Sequence, residues 1–181
     1  MIATATALPE VFILEPQVHG DARGWFMESH SDASFSAAIG RPMPFVQDNH
    51  SKSARGVVRG LHYQLPPFEQ GKLVRVVHGR SFHAAVDIRR SSPHFGRAVT
   101  VELDAVTKRQ LWVPVGFAHG FLALEDGTEV VYKVTAPWSC SAERGIRWDD
   151  PSIGIVWPTT TLPLLSTKDA SAPQLAAAEL P

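Results

Sequence analysis

The segment VVRGLHYQLP, residues 57–66, places an arginine, an imidazole and an amide within a run otherwise typical of a strand. Arg59, His62 and Gln64 would be costly there if they were buried without polar partners. Imidazole suits proton transfer near neutral pH, although a lone histidine in a strand is more often simply hydrogen-bonded. Strict alternation puts Arg59 and His62 on opposite faces. Gly60 between them predicts a bulge that re-aims its neighbours.

A second histidine, His119, lies in WVPVGFAHGF, whose PxGxxH spacing resembles the second motif of cupins. In that motif the turn presents a histidine that binds a metal ion. A metal site needs three or four ligands, and the partner motif would read HxH followed by a nearby Glu. Here that stretch is His62-Tyr63-Gln64, so we expect no metal.

Three further polar residues have ordinary structural explanations when each is taken alone. Lys72 could end a strand in solvent, and Tyr132 could be a packed tyrosine with its hydroxyl in water. Asp169, in LSTKDA, could cap a short helix together with Ser166. Taken together with the two histidines, they indicate a functional site.

Composition limits the possible classes of protein. The chain has 181 residues, 44% of them hydrophobic, which suits one compact domain over residues 1–181. Its 17 basic and 18 acidic residues, without a basic cluster, argue against nucleic-acid binding but allow a small anionic ligand.

The cellular location is also constrained by the sequence. The single cysteine, Cys140, fits a reducing compartment. The first residues do not resemble a signal peptide, and no window approaches the ~20 apolar residues of a membrane span. We therefore expect a cytoplasmic protein with no membrane partner.

Short runs rich in Val, Ile, Phe and Trp, separated by Gly, Pro or Asp turns, predict an all-β sandwich or barrel. A double-sheet jelly roll would cover the strand edges and leave an open mouth for a ligand. Two short helices are predicted, one over 31–40 between Ser31 and Gly40 and one in PQLAAAEL. The predicted strands are VFILEP, GWFMESH, PFVQDNHS, GVVRGLHYQ, KLVRVVHG, SFHAAVDIR, RAVTVEL, RQLWVPV, HGFLAL, TEVVYKVT and, weakly, IGIVWP.

The period of two assigns polar side chains to the interior of such a barrel. In PFVQDNHS it places Gln47 and Asn49 on the same face as Phe45. In TEVVYKVT it points Tyr132 in the direction of the packed valines. The mouth is therefore expected to carry polar groups.

The sequence resembles the dTDP-4-dehydrorhamnose 3,5-epimerase family over about residues 8–173, in the family's order and spacing. The resemblance implies a cupin-type jelly roll, a homodimer and an epimerase without metal or other cofactor. Its substrate would be a dTDP-linked 4-keto-6-deoxyhexose, inverted at carbon 3, carbon 5 or both in deoxysugar (dTDP-rhamnose-type) biosynthesis. The stretches that carry the resemblance are GDARGWFMES, FVQDNHSKSARGVVRGLHYQLPPFEQGKLVRVVHG, AVDIRRSSPHFG, QLWVPVGFAHGF, EVVYKVT, ERGIRWDDPSIGIVWP and LSTKDA.

The family's motifs also imply a role for each matching residue. His62 would be the base, oriented by Asp169, and Tyr132 would donate a proton on the other face of the sugar. Lys72 would stabilise the developing oxyanion, and Arg59 would hold the diphosphate or the polar sugar edge. The remaining substrate contacts would be Arg23, Glu28, Gln47, Asp48, Asn49, His119, Trp138, Glu143 and Lys168. Arg23 and Glu28 would serve the pocket of a partner subunit.

Three positions depart from the family's usual pattern. Trp138 stands where a second tyrosine is usual, Cys140 where a proline is common, and His83 replaces part of an acidic–aliphatic pair. An indole beside the sugar ring bears on whether one carbon or both are epimerised.

Two alternatives remain open from the sequence. One is a metal-dependent cupin, an isomerase or dioxygenase that uses His62 and His119. The other is a non-catalytic sugar-binding cupin, which predicts the loss of a base or an acid, whereas His62, Asp169 and Tyr132 are all present.

Overall fold

The computed structural model describes residues 1–181. It contains thirteen strands, two short α-helices and one 3₁₀ turn. The first seven strands are β1 (Ile2–Ala5), β2 (Phe12–Glu15), β3 (Val18–Asp21), β4 (Gly24–Met27), β5 (Gln47–Ser53), β6 (Val58–Gln64) and β7 (Lys72–His78). The others are β8 (Arg80–Asp87), β9 (Ala98–Asp104), β10 (Gln110–Val113), β11 (Phe117–Ala123), β12 (Thr128–Val134) and β13 (Glu143–Gly145). The helices are α1 (Asp32–Ile39) and α2 (Thr167–Ala170), and the 3₁₀ turn is Leu175–Ala177.

Two antiparallel sheets form the body of the molecule. The six-stranded sheet has the order β1-β2-β10-β7-β12-β5, and the five-stranded sheet has the order β13-β6-β11-β8-β9. Apolar side chains from both sheets form one core, with Val74 and Val130 on the first sheet and Ala85 and Phe121 on the second. Strands β3 and β4 form a separate hairpin. The predicted all-β jelly roll, with few and short helices, is confirmed.

Helix α1 agrees with its prediction at both ends. The Ser31 hydroxyl accepts a hydrogen bond from the Ser34 amide. Gly40 has φ +78°, and its N–H donates to the Ser36 carbonyl. Phe35 packs with Trp112 in a small cluster on the six-stranded sheet. No helix in the molecule has the length and hydropathy that crossing a membrane requires.

The C-terminal predictions are wrong in two places. Residues 153–158 form no strand: a turn ends at Ile153 and the rest of the segment is irregular. Gly154 takes φ +69°, and Trp157 is buried and donates its indole N–H to the Trp148 carbonyl. The PQLAAAEL segment forms only a 3₁₀ turn. Its Leu175 amide is held by the Asp150 carboxylate, and tertiary contacts thus override the helix propensity of the alanines.

Strands β1, β3 and β13 were not predicted, and β13 matters for the site. Strand β13 has only three residues, too few for an alternation pattern to be recognised. It pairs with β6 so that Glu143 lies opposite Gln64 and Gly145 opposite His62.

The bulge predicted at Gly60 is present where β6 pairs with β11. The pairing shifts register at this point, and Gly60 has φ +117°. A Cβ atom on Gly60 would lie 2.6 Å from the Gly120 Cα and 2.8 Å from the His119 oxygen. Arg59 and His62, on either side of the bulge, line the same cavity. Only glycine fits where the backbones of β6 and β11 approach this closely.

We expect Gly60→Ala to lower the free energy of unfolding by about 3 kcal/mol, because it adds a backbone clash to the cost of positive φ. Gly154→Ala is the matched control, since Gly154 also has positive φ but its nearest neighbour would lie 4.0 Å away. That variant should lose only about 1 kcal/mol. Urea unfolding measures the free energy of unfolding of both variants. Equal losses would show that β6 and β11 leave room for a Cβ atom at Gly60.

Candidate active site

The main cavity, of about 640 Å³, opens between the two sheets. Its polar side chains come from several strands and one helix. Arg59 and His62 come from β6, Lys72 from β7, His119 from β11 and Tyr132 from β12. The C-terminal α2 adds Asp169. Six residues from five elements are therefore brought together.

The His62 imidazole and the Asp169 carboxylate form the closest polar pair in the cavity. Nε2 of His62 lies 2.5 Å from Oδ1 of Asp169, whose side chain is only 4% exposed. Ser166 caps α2 by accepting the Asp169 amide and donates its hydroxyl to the second carboxylate oxygen. Burial acts to raise the pKa of Asp169, but these hydrogen bonds and the charge of His62 outweigh it and lower the pKa. Ser166 therefore both caps α2 and holds the carboxylate that contacts His62.

Lys72 is buried and does not end its strand in solvent. Its Nζ donates to the His62 carbonyl over 3.1 Å, which places the ammonium next to the histidine. Burial lowers the pKa of Lys72 to about 8, although the Glu143 carboxylate favours the charged form.

Tyr132 points inward between Val130 and Val134, as predicted from the alternation of its strand. Burial raises the pKa of its phenol, and the nearby Arg59 guanidinium opposes that rise. The Arg59 guanidinium is anchored to Ser53 and to the Lys52 carbonyl. The phenol is therefore protonated at neutral pH and lies in a positively charged part of the cavity.

A second cavity of about 270 Å³ continues the site past His62 and Tyr132. Its walls include Gln47, Asn49, Trp138 and Glu143. Gln47 donates to Asn49 and accepts a hydrogen bond from the backbone N–H of Trp138. Trp138 itself is 56% exposed at the rim. In the main cavity, Glu143 pairs with Lys168 at 2.8 Å.

Gln64 has a structural explanation of its own. It is buried and bonds three backbone groups, accepting from Ser139 and donating to Phe68 and Pro137. It holds the loop that carries Trp138. Of the three polar residues in VVRGLHYQLP, Arg59 and His62 line the main cavity. Gln64 instead fixes the loop at its rim.

Three of the predicted substrate contacts lie outside both cavities. Asp48 is on the outer face of β5 and pairs with Lys133 at 2.9 Å. Arg23 lies at the turn of the β3–β4 hairpin, 90% exposed and paired with Asp21. Glu28 directly follows that hairpin.

Some cavity residues were missed at the level of sequence. Ser51 lines the main cavity and shares its face of β5 with Gln47 and Asn49, so extending the alternation by one step would have found it. Leu164, Leu165 and Ser166 reach the cavity through the return of the C-terminal segment, for which the sequence gives no local signal.

The polar residues are not arranged to hold a metal ion. No group of three or more His, Cys, Asp or Glu side chains is clustered closely enough. Nε2 of His62 is occupied by Asp169, and Nε2 of His119 by His83. The metal-dependent alternative therefore has no ligand set.

A double-sheet jelly roll with an imidazole–carboxylate pair, an ammonium and a phenol at its mouth has the architecture of a cupin that carries an acid–base site. The family model described as dTDP-4-dehydrorhamnose 3,5-epimerase matches residues 5–177. The chain belongs to this family.

Individual relatives agree with the family assignment. The dTDP-4-dehydrorhamnose 3,5-epimerase of Shigella flexneri is 59% identical over 164 residues, which is 91% of this chain and 90% of the relative. A dTDP-6-deoxy-D-glucose-3,5-epimerase from Legionella pneumophila, solved in complex with dTDP-4-keto-L-rhamnose, is 43% identical with a TM-score of 0.95, covering 99% of this chain and 96% of its own. The 3'-monoepimerase ChmJ from Streptomyces bikiniensis, solved with dTDP-quinovose, is 35% identical with a TM-score of 0.89, covering 97% and 88%.

The burial of Lys72 generates a testable titration. In protein labelled with ¹³C at the lysine ε carbon, one resonance should titrate near pH 8 and be absent from Lys72→Met. The ammonium is then mostly charged at pH 7 and is lost as the pH rises through 8. A Lys72 resonance that titrates near the ordinary lysine value of 10.5 would contradict the buried environment.

Proposed function

We propose that residues 1–181 form one epimerase domain that inverts carbon 3, carbon 5 or both of a dTDP-linked 4-keto-6-deoxyhexose, in deoxysugar biosynthesis. One observation carries the proposal. His62 and Tyr132 project into one cavity from opposite sheets, His62 from β6 and Tyr132 from β12. A sugar between them would have a base on one face and a proton donor on the other. Inversion at a carbon next to a ketone needs that arrangement.

The first step is removal of a carbon-bound proton by His62. Because Asp169 accepts the Nε2 hydrogen, Nδ1 is the ring nitrogen left with a lone pair. The buried carboxylate keeps the ring in this tautomer and stabilises the imidazolium that forms. A proton-transfer group in this position is expected to contribute ~10²–10⁴-fold to the rate.

The second step is stabilisation of the enolate and return of a proton. Lys72 would supply the cation for the oxyanion, since two of its three hydrogens remain free after the bond to the His62 carbonyl. Tyr132 would deliver the proton, because its hydroxyl makes no hydrogen bond within the chain and burial keeps it protonated.

Substrate binding would use the remaining polar residues of the two cavities. We assign the diphosphate or the polar sugar edge to Arg59. The other contacts would be Gln47, Asn49, His119, Trp138, Glu143 and Lys168. The likeness to the Legionella pneumophila enzyme, solved with dTDP-4-keto-L-rhamnose, supports this substrate class.

Arg23 and Glu28 would act in the site of a partner subunit in a homodimer, in the cytoplasm. Neither lines a cavity next to His62. Trp25 and Phe26, on the same hairpin, expose 59% and 71% of their surface. Exposed aromatic side chains of this kind favour an interface. Asp48, on the outer face of β5, would also have to act across such an interface.

The experiment that tests the proposed function is incubation with dTDP-4-keto-6-deoxyglucose in deuterated water, followed by proton NMR. The wild-type chain should exchange hydrogen at carbon 3, carbon 5 or both and form the inverted sugar. His62→Ala should lose this exchange while dTDP binding stays nearly intact, because the base acts only on the sugar. Retention of a tenth of the wild-type exchange would sink the assignment of the base.

Tyr132→Phe should separate the two half-reactions. Proton abstraction by His62 does not need the Tyr132 donor, so slow exchange should persist while net epimerisation is lost. Tyr63→Phe is the matched control, because it removes a hydroxyl that bonds the Glu179 carbonyl, and it should epimerise normally. If Tyr132→Phe epimerises at the wild-type rate, the donor is another group or a water molecule.

Trp138 generates a prediction about which carbon reacts. To bring carbon 5 to His62, the half-reacted ring must turn, and an indole at the rim is larger than a phenol and lacks its hydroxyl. We expect exchange at carbon 3 to outrun exchange at carbon 5, with a mono-epimerised sugar accumulating. Trp138→Tyr should narrow the gap.

The alternative is that Trp138 only packs at the rim, where its backbone is held by Gln47. Equal exchange rates at both carbons, unaltered by Trp138→Tyr, would refute the steric effect. They would leave the epimerase assignment in place.

A further inference from the structure

Behind the cavity, a line of three polar side chains runs from the core to His119. Ser81 and His83 are fully buried, whereas His119 is 8% exposed and lines the main cavity. Nε2 of His83 lies 2.7 Å from the Ser81 hydroxyl, and its Nδ1 lies 3.2 Å from Nε2 of His119. The two rings are nearly parallel, with 13° between their planes. The proposed reaction gives no role to Ser81 or His83.

The protons in this line can be counted. Burial lowers the pKa of His83 to about 3. Burial also lowers the pKa of His119 well below its usual value, and the charges of His83, Lys72 and His62 act in the same direction. Each ring is therefore neutral at pH 7 and carries one N–H. Each of the two contacts can hold only one hydrogen.

Ser81 decides which way the hydrogens point. Its hydroxyl is fully buried, and its only hydrogen-bond partner is Nε2 of His83. If that nitrogen carried the hydrogen, the serine hydrogen would have no acceptor, at a cost of about 1–3 kcal/mol. Ser81 therefore donates to His83. The hydrogen of His83 then sits on Nδ1 and is donated to Nε2 of His119.

We propose that His83, held by Ser81, is a positioning residue that places the His119 hydrogen on Nδ1 and makes His119 a hydrogen-bond donor to the substrate. Nδ1 of His119 has no partner in the chain, so it is the ring nitrogen left for a ligand in the cavity. A carbonyl, enolate or hydroxyl oxygen of the sugar would accept that hydrogen bond. The identity of the ligand rests on the proposed function, whereas the tautomer does not.

The variants His83→Asn and His83→Asp have side chains of nearly the same size and shape. Comparing them therefore separates the direction of the hydrogen bond to His119 from the effect of a smaller side chain. The δ atoms of asparagine and aspartate fall where Nδ1 of His83 lies. His83→Asn can still donate to Nε2 of His119, whereas the carboxylate of His83→Asp can only accept and forces the hydrogen onto Nε2. The readout is the ¹⁵N chemical shifts of the His119 ring in labelled, ligand-free protein, identified by their absence from His119→Gln.

The wild-type chain and His83→Asn should both show the Nδ1–H form of His119, and His83→Asp the Nε2–H form. In the deuterium-exchange assay, kcat should fall by about 10- to 100-fold in His83→Asp and much less in His83→Asn. An Nε2–H form in the wild-type chain overturns the proposal, and this arm holds even if neither variant folds. Equal kcat in the two variants overturns the positioning role.

Absence of epimerisation in the wild-type chain would count against the proposed function. The tautomer measurement on the ligand-free protein would still decide the direction of the hydrogens.

Discussion

The site depends on one hydrogen bond, between His62 in the barrel and Asp169 near the end of the chain. Losing the histidine would leave the buried carboxylate with only the Ser166 hydroxyl as a side-chain partner, so the contact with His62 stabilises the C-terminal segment at the mouth. Backbone bonds bring it there, from the Leu164 amide to the Gly56 carbonyl and from the Val58 amide to the Leu164 carbonyl. The same contacts that complete the fold therefore complete the base.

A second constraint comes from the two-sheet architecture. Because the sheets face each other across the cavity, side chains from β6 and β12 approach a ligand from opposite sides. The bulge at Gly60 turns Arg59 and His62 into the same space, which a regular strand would not allow. Inversion of a carbon centre needs groups on both faces of the sugar, which this geometry provides.

The sequence predicted most of the fold because strands with one buried face alternate in polarity. This alternation correctly assigned Gln47, Asn49 and Tyr132 to the interior. It also places Asp48 outside, a consequence that the family resemblance obscured. The burial of Lys72 could not be read locally, because it depends on β7 pairing with β10 and β12 on its two sides. The predictions of a strand at 153–158 and of a helix in PQLAAAEL were wrong for the same reason. Tertiary contacts of Trp157 and Leu175 decide the shape of these segments.

The central claim is that Asp169 accepts the Nε2 hydrogen of His62 and so leaves Nδ1 free to take a proton from the sugar. Ring ¹⁵N shifts of His62, assigned by their absence from His62→Ala, test it most directly at a pH where the ring is neutral. We predict the Nε2–H form in the wild-type chain and a loss of that preference in Asp169→Asn. A wild-type ring in the Nδ1–H form would contradict the account.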